Sequence, residues 1–249
     1  MTTQKQPGSE AARHGTGDAD LTIMLAAHNA FRRDLVSLVR SVQGPVRSDP
    51  HRSRSVAAGW ELFKSQLHVH HTAEDDLIWP ALRERLGHSE NALSVLDEME
   101  EEHQRIDPLL AAVDSAFAAL TGPAASRSAG QPGGPPADQP AGQPAGQPGA
   151  DRLADVTDAL VTTLTAHLTH EERDGLPLIG VALTAAEWRG VGFKIARRNG
   201  LSAGGEMFSW MLDGATPEQL HATIGQLPPP VRLLYKAVWK PRFNKTPRW

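Results

Sequence analysis

The sequence predicts an all-α protein, an up-down-up-down four-helix bundle with a Pro/Gly-rich insert between helices 3 and 4 and a helical C-terminal extension. Three observations carry this. Apolar residues recur at alternating steps of three and four along four long stretches, which is the seam of an antiparallel bundle. Strand formers are scarce, with a single tyrosine and few β-branched runs. Each of the four stretches also places a histidine where the stripe calls for an apolar residue, and in two of them a glutamate follows four residues later.

Residues 1–18 are polar and Gly-rich and read as a disordered lead. The bundle spans 19–180. Its first helix is capped by Asp18 or Asp20 and carries Leu21, Met24 (or Leu25), His28, Phe31, Leu35, Leu38 and Val42 on one stripe, ending at Gly44-Pro45. Residues 46–54 form a polar loop. The second stripe is the cleanest, running Val56, Trp60, Phe63, Leu67, His70, Glu74, Leu77, Ala81. Pro80 is expected to kink this helix late, and Gly87 closes it. Ser89 opens the third helix, whose stripe is Leu93, Leu96, Met99, His103, Ile106, Leu110, Val113, Phe117, Leu120, with a kink expected at Pro108.

Residues 121–150 are Gly, Pro, Ala, Gln and Ser with a recurring Pro-Ala-Gly-Gln unit, and read as a flexible insert, since surface loops accept length cheaply. The fourth helix begins near Asp151 with Leu153, Val156, Leu160, Leu164, His167 and Glu171, its end disturbed by Gly175 and Pro177. The extension, 181–249, is helical but broken by glycines. Thr216-Pro217-Glu218 is a helix start, and Val231 to Phe243 is amphipathic.

Composition narrows the function. The chain has 249 residues, 40% of them hydrophobic, enough for one sizeable core. A net charge of −4 provides no global field toward nucleic acid. The absence of cysteine excludes disulfides, iron–sulfur clusters and thiolate metal sites. No run approaches the roughly 18 apolar residues of a membrane span, and the N-terminus lacks a secretory signal, so a soluble cytoplasmic protein is expected.

The candidate metal ligands are His28, His70, Glu74, His103, His167 and Glu171. In each His-x-x-x-Glu pair both side chains leave one face of a helix. Polar ligands inside a helical bundle are the usual construction of a metal site. Their heights agree. His28 lies about 22 Å from the first turn and His70 and Glu74 about 24–30 Å from it, at 1.5 Å per residue. Glu74 and His103 lie about 18 and 21 Å from the second turn. The end of helix 3 lies about 25 Å from His103, and the start of helix 4 about 24–30 Å from His167 and Glu171. All six therefore fall in one layer. An unpaired buried carboxylate costs many kcal/mol or gives up its charge, so burying two of them with four imidazoles requires cations. The donor set suits iron, manganese or zinc, and two carboxylates from different helices suit a pair of metals. Iron is the first choice, and manganese is compatible with the same geometry.

The motifs Ala27-His28-Asn29, His70-His71-Thr72-Ala73-Glu74-Asp75 leading to Ile78-Trp79-Pro80, Glu102-His103, and His167-Leu168-Thr169-His170-Glu171-Glu172 leading to Leu176-Pro177-Leu178 resemble the hemerythrin-like (HHE) family. The resemblance covers 20–120 and 151–180. It implies a four-helix bundle holding an oxo- or hydroxo-bridged pair of iron ions that binds O2 or reacts with peroxide or nitric oxide. The chain departs from the family's oxygen carriers, which have five histidines and two carboxylates. Four residues after His103 stands Asp107, four before it Met99, and the last block ends in Glu171 four residues on rather than an aspartate five on. A seventh ligand could be His71, Asp107 or water. An open position favours reaction with small oxidants over reversible O2 storage.

Each of these residues also has a plainer reading. His28 or His103 alone reads as a satisfied core histidine, and only the common height turns the balance to ligation. His68, His71 and His170 lie beside the stripes and are expected at the surface or in support of a ligand. Glu98, Glu100, Glu101 and Glu102, with Asp75, Asp76 and Glu172, read as solvated faces. The tail from Val231 carries Arg232, Lys236, Lys240, Arg242, Lys245 and Arg248 with no acid, interleaved with Trp239, Phe243 and Trp249. It could contact an anionic membrane surface or an acidic protein. The favoured alternative is that its apolar side chains pack back on the bundle. Two further functions compete with small-molecule chemistry: an iron or oxygen sensor, and a metal-stabilised helical scaffold.

Overall fold

Every described residue outside the turns is helical in the computed structural model, which describes residues 19–43, 49–121 and 148–249. The expected lead, the Gly44-Pro45 stop and the Pro-Ala-Gly-Gln insert lie outside these residues. Helix α1 is Thr22–Gln43, and the Asp20 carboxylate accepts from the Thr22 amide (2.9 Å) at its start. Helix α2, Pro50–Ala73, is capped by Asp49 with Pro50 at its first turn. A wide π-turn, Glu74–Ile78, joins it to α3, Trp79–Leu86. Helix α4, Glu90–Thr121, runs unbroken through Pro108, where a kink was expected. Helix α5, Pro148–His170, continues through a second π-turn, Glu171–Gly175, into α6, Leu176–Ala182.

Both π-turns have a cause in the sequence. A proline cannot donate to the carbonyl four residues back, and its ring clashes with that carbonyl. Pro80 and Pro177 each stand six residues after the first residue of a π-turn. The helix relieves the clash by widening, so the Trp79 and Leu176 amides bond the Glu74 and Glu171 carbonyls five residues back. The extra residue shifts the phase of the stripe. Beyond Glu74 the buried positions are Ile78, Leu82 and Leu86, not the Leu77 and Ala81 that an uninterrupted α-helix would bury. Similarly, Thr157 rather than Val156 is buried on α5, and Met24 rather than Leu25 on α1.

The core is divided into two apolar clusters. One contains Phe31, Leu35, Leu38, Trp60, Phe63, Leu67, Ile106, Val113, Leu160 and Leu164. The other contains Met24, Ile78, Trp79, Leu82, Leu96, Met99, Leu176 and Ile179. Along α1 the chain passes from the second cluster to the first, along α2 and α3 from the first to the second, and the alternation repeats in α4 and in α5 with α6. Successive long helices thus run in opposite senses. On each one, the predicted ligand positions fall at the border between the clusters.

The extension wraps this bundle. Helix α7, Ala185–Met211, opens with a Thr184/Glu187 capping box and bends at Gly200, whose φ of 77° suits glycine. Thr216 caps α8, Pro217–Gly225, at the predicted start. Helix α9, Pro229–Leu234, passes through a π-turn, Tyr235–Trp239, into α10, Lys240–Phe243. The tail packs back on the bundle, as favoured above. Tyr235 and Phe243 are buried, and Trp249 packs on the first cluster. Two glycines make room for its tryptophans. A Cβ on Gly59 would lie 2.6 Å from the Trp249 ring, and one on Gly205 would lie 2.5 Å from the Trp239 ring.

Candidate metal centre

Seven side chains meet at the border between the clusters. Ligand atoms of His28, His70, Glu74 and Glu171 lie within 4.8 Å of one another, and so do those of His71, His103 and His167. The structure therefore brings together all six predicted residues and adds His71. Glu74 and Glu171 sit between the two groups. Glu74 Oε1 is 3.2 Å from His70 Nε2, and its Oε2 is 3.5 Å from His103 Nε2. Glu171 Oε2 is 3.2 Å from His28 Nε2 and 3.9 Å from His167 Nε2.

Burial makes this layer expensive. Glu74, Glu171 and His28 are 0% exposed, and His167 is 1%. The Nε2 atoms of His28, His70, His71, His103 and His167 and all four carboxylate oxygens are buried with no hydrogen-bond partner. Leaving a buried polar atom unsatisfied costs about 1–3 kcal/mol. Nine such atoms converging on one spot are the donor set of a cation site rather than a packing accident. The donors present, imidazole nitrogens and carboxylate oxygens without thiolates, fit iron, manganese or zinc.

The opposite side of three imidazoles is fully engaged. His28 Nδ1 donates to Glu172 Oε1 (2.8 Å), His103 Nδ1 to Asp75 Oδ1 (2.9 Å) and His167 Nδ1 to Glu102 Oε2 (2.8 Å). A carboxylate only accepts, so the proton is on Nδ1 and the Nε2 lone pair faces the layer. Arg32 grips Glu172 with two bonds (2.6 and 3.1 Å), and His170 Nδ1 donates to the second oxygen of Glu102 (2.9 Å). This corrects the reading of Asp75, Glu102 and Glu172 as solvated faces. Each reaches a histidine on another helix, and helix-by-helix periodicity carries no signal of that. The two halves mirror each other: the residue after each central glutamate, Asp75 or Glu172, holds the histidine of the opposite helix pair.

His71 was expected at the surface or in a supporting role, but it is only 7% exposed and stacks on His103 with ring centroids 3.9 Å apart. A signal was present in the sequence. His71 follows Leu67 by four and precedes Glu74 by three, so it shares their face. Asp107, the rival seventh ligand, is exposed. His170 supports His167 through Glu102, and His68 is exposed.

The electrostatics describe what these groups do without a cation. Burial pushes His70 and His71 well below the ordinary imidazole value, holding them neutral. Burial and the facing Glu171 carboxylate push Glu74 well above the usual carboxylate range. Burial would also raise Glu171, but the charge of His28 and its other imidazole neighbours holds it down, to about 2. Burial alone would lower His28, yet Glu171 and Glu172 raise it to about 9. The hydrogen bond from His28 leads in depressing Glu172 to about 2, with Arg32 assisting. In effect the metal-free layer keeps one central carboxylate ionised and pairs it with His28.

A helical bundle with a buried layer of five imidazoles flanking two central carboxylates defines a class, the cation-binding four-helix bundle. Comparison with known families agrees. Residues 17–132 match the family model of the hemerythrin HHE cation-binding domain, and this part of the chain belongs to that family. No curated protein and no solved structure matches the chain. The family match ends before α5, so His167 and Glu171 enter the site through the geometry and not through the match. Among the described residues, no helix is long and apolar enough to cross a membrane.

Proposed function

We propose that this protein holds two iron ions between His28, His70, Glu74 and Glu171 on one side and His71, His103 and His167 on the other, and that this centre binds or reacts with O2, peroxide or nitric oxide. The observation that carries the reading is the convergence of nine buried, unpartnered donor atoms with both glutamates between the histidine groups. Such a donor set also accepts manganese. When bound, the metals would supply Lewis acidity and a redox couple. The chain's own contribution is to hold both glutamates without competing hydrogen bonds, to fix three imidazole tautomers through Asp75, Glu102 and Glu172, and to seal the layer between apolar clusters.

The test is reconstitution under anaerobic conditions, followed by metal analysis and absorption spectra before and after exposure to O2, peroxide and nitric oxide. Two irons per chain and near-ultraviolet bands that respond to one of these molecules are expected. His103→Ala should bind fewer than two irons and lose those bands. A protein that stays metal-free and melts at the same temperature with or without ferrous ions would end the reading.

A second reading, an iron-responsive sensor, draws on the interruption of the core. A layer that cannot be satisfied without metal makes bundle stability depend on iron. A large change in protease sensitivity on metal removal, without turnover of peroxide, favours it.

A further inference from the structure

A cavity of about 380 Å³ lies between α1, the end of α7 and the C-terminal segment, away from the metal donors. Trp210, Phe243 and Trp249 form its aromatic walls, and Arg33, Asp34 and Arg248 its charged ones. Its volume falls in the range that holds small organic ligands. Its wall is built rather than incidental. The Trp249 amide donates to the Ser55 carbonyl (3.1 Å), and the Trp249 ring lies in the notch left by Gly59.

The charge inventory identifies what would bind. Asp34 is 2% exposed and fully engaged, accepting from Arg33 Nε (2.8 Å) and Trp210 Nε1 (2.7 Å). At the rim, Asp213 is paired with Lys240 (2.7 Å). Arg248 is left over. Its Nη1 donates to the Phe243 and Thr246 carbonyls (2.9 Å each), and its guanidinium stands 3.8 Å from the centre of the Phe243 ring. Carbonyls and a ring face do not cancel a charge, and Arg248 pairs with no carboxylate among the described residues. A half-buried guanidinium always carries its proton at neutral pH and recognises carboxylate-type anions through its planar fork. The cavity therefore offers one uncompensated cation among three aromatic rings.

We propose that this cavity is a binding site for a small planar aromatic anion, with its acidic group on Arg248 and its rings against Trp210, Phe243 and Trp249. The site stands independently of the metal assignment. Its location is suggestive of a co-substrate or effector rather than a metal ligand: the Trp210 ring lies 4.8 Å from Phe31, and Phe31 lies 5.2 Å from His70, so an occupant sits two ring contacts from the metal layer.

The test is calorimetric titration of the full chain, iron-loaded and metal-free, with 2-naphthoate and with its neutral analogue 2-naphthamide. Binding of naphthoate to both forms is expected. The amide should bind at least about tenfold more weakly, the loss of one charge-assisted contact. Arg248→Gln should impose a similar loss on naphthoate alone, and Arg248→Lys a smaller one. No naphthoate binding at millimolar concentration, or equal binding of acid and amide to the unaltered chain, would overturn the proposal even if the variants misfold. Naphthoate binding that survives Arg248→Gln but vanishes with the iron would place the acid on the metal and also overturn it.

Discussion

Replacing Glu74 by leucine should move the metal-free and metal-loaded proteins in opposite directions. Glu74 is fully buried, and both of its oxygens lack hydrogen-bond partners. In the metal-free protein this carboxyl contributes no compensated interaction, and it faces Glu171. Removing an unsatisfied buried polar group recovers about 1–3 kcal/mol. For a chain of this size each kcal/mol corresponds to about 2–4 °C in melting temperature, so metal-free Glu74→Leu should melt roughly 2–12 °C above the metal-free parent. With iron the order reverses. Glu74 lies between His70 and His103, and a leucine there removes a donor from both sides of the layer. Iron content should fall below two per chain, and the stabilisation by metal, about 2.7 kcal/mol at a hundredfold excess over Kd, should largely disappear. Paired melts by circular dichroism, in chelator and after iron loading, read both effects. A metal-free variant that melts well below its parent, or one that still binds two irons, would refute the idea that this carboxylate is tolerated in the core only for a cation.

Other perturbations test the surrounding shell. Glu102→Gln leaves an amide where a carboxylate holds both His167 and His170, and should weaken iron binding about 10–100-fold in a competition titration while changing the metal-free melting point little. The pH dependence has a defined sign. His28 in the metal-free fold has its pKa raised to about 9 from an ordinary 6.5, so its contribution is complete below about pH 6.5 and is lost as pH rises through about 9. His70 and His71 act oppositely, because burial lowers them, and they cost stability as pH falls below 6.5. Melts in chelator should therefore decline between about pH 6.5 and 9, and His28→Gln should flatten that decline. Gly205→Ala places a methyl against the Trp239 ring and should cost about 1–3 kcal/mol, read as a lower melting point with unchanged iron content.

Much of the fold was legible because amphipathic periodicity is a local property. The stripes of α1, α4 and α5 bury nearly the residues that three-four alternation marks, and the Thr216-Pro217 start of α8 stands where its capping chemistry puts it. Where reading by period failed, it failed at a definite place. Pro80 was expected to kink α2; instead the helix widened ahead of it, and burial moved from Leu77 and Ala81 to Ile78 and Leu82. A proline announces that the hydrogen-bond ladder must change, but whether the helix bends or absorbs an extra residue is decided by what packs around it.

The same division holds for the centre. The sequence alone determined which histidines and glutamates interrupt the stripes, and equal rise per residue on four antiparallel helices placed them at one height. Tertiary structure decided the rest. It selected His71 over Asp107, set Glu74 and Glu171 between two histidine groups, and aimed Asp75, Glu102 and Glu172 at imidazoles of other helices. Periodicity records which way a side chain leaves its own helix. Which atom it meets depends on the rotation and spacing of neighbouring helices, and those follow from how the whole core closes.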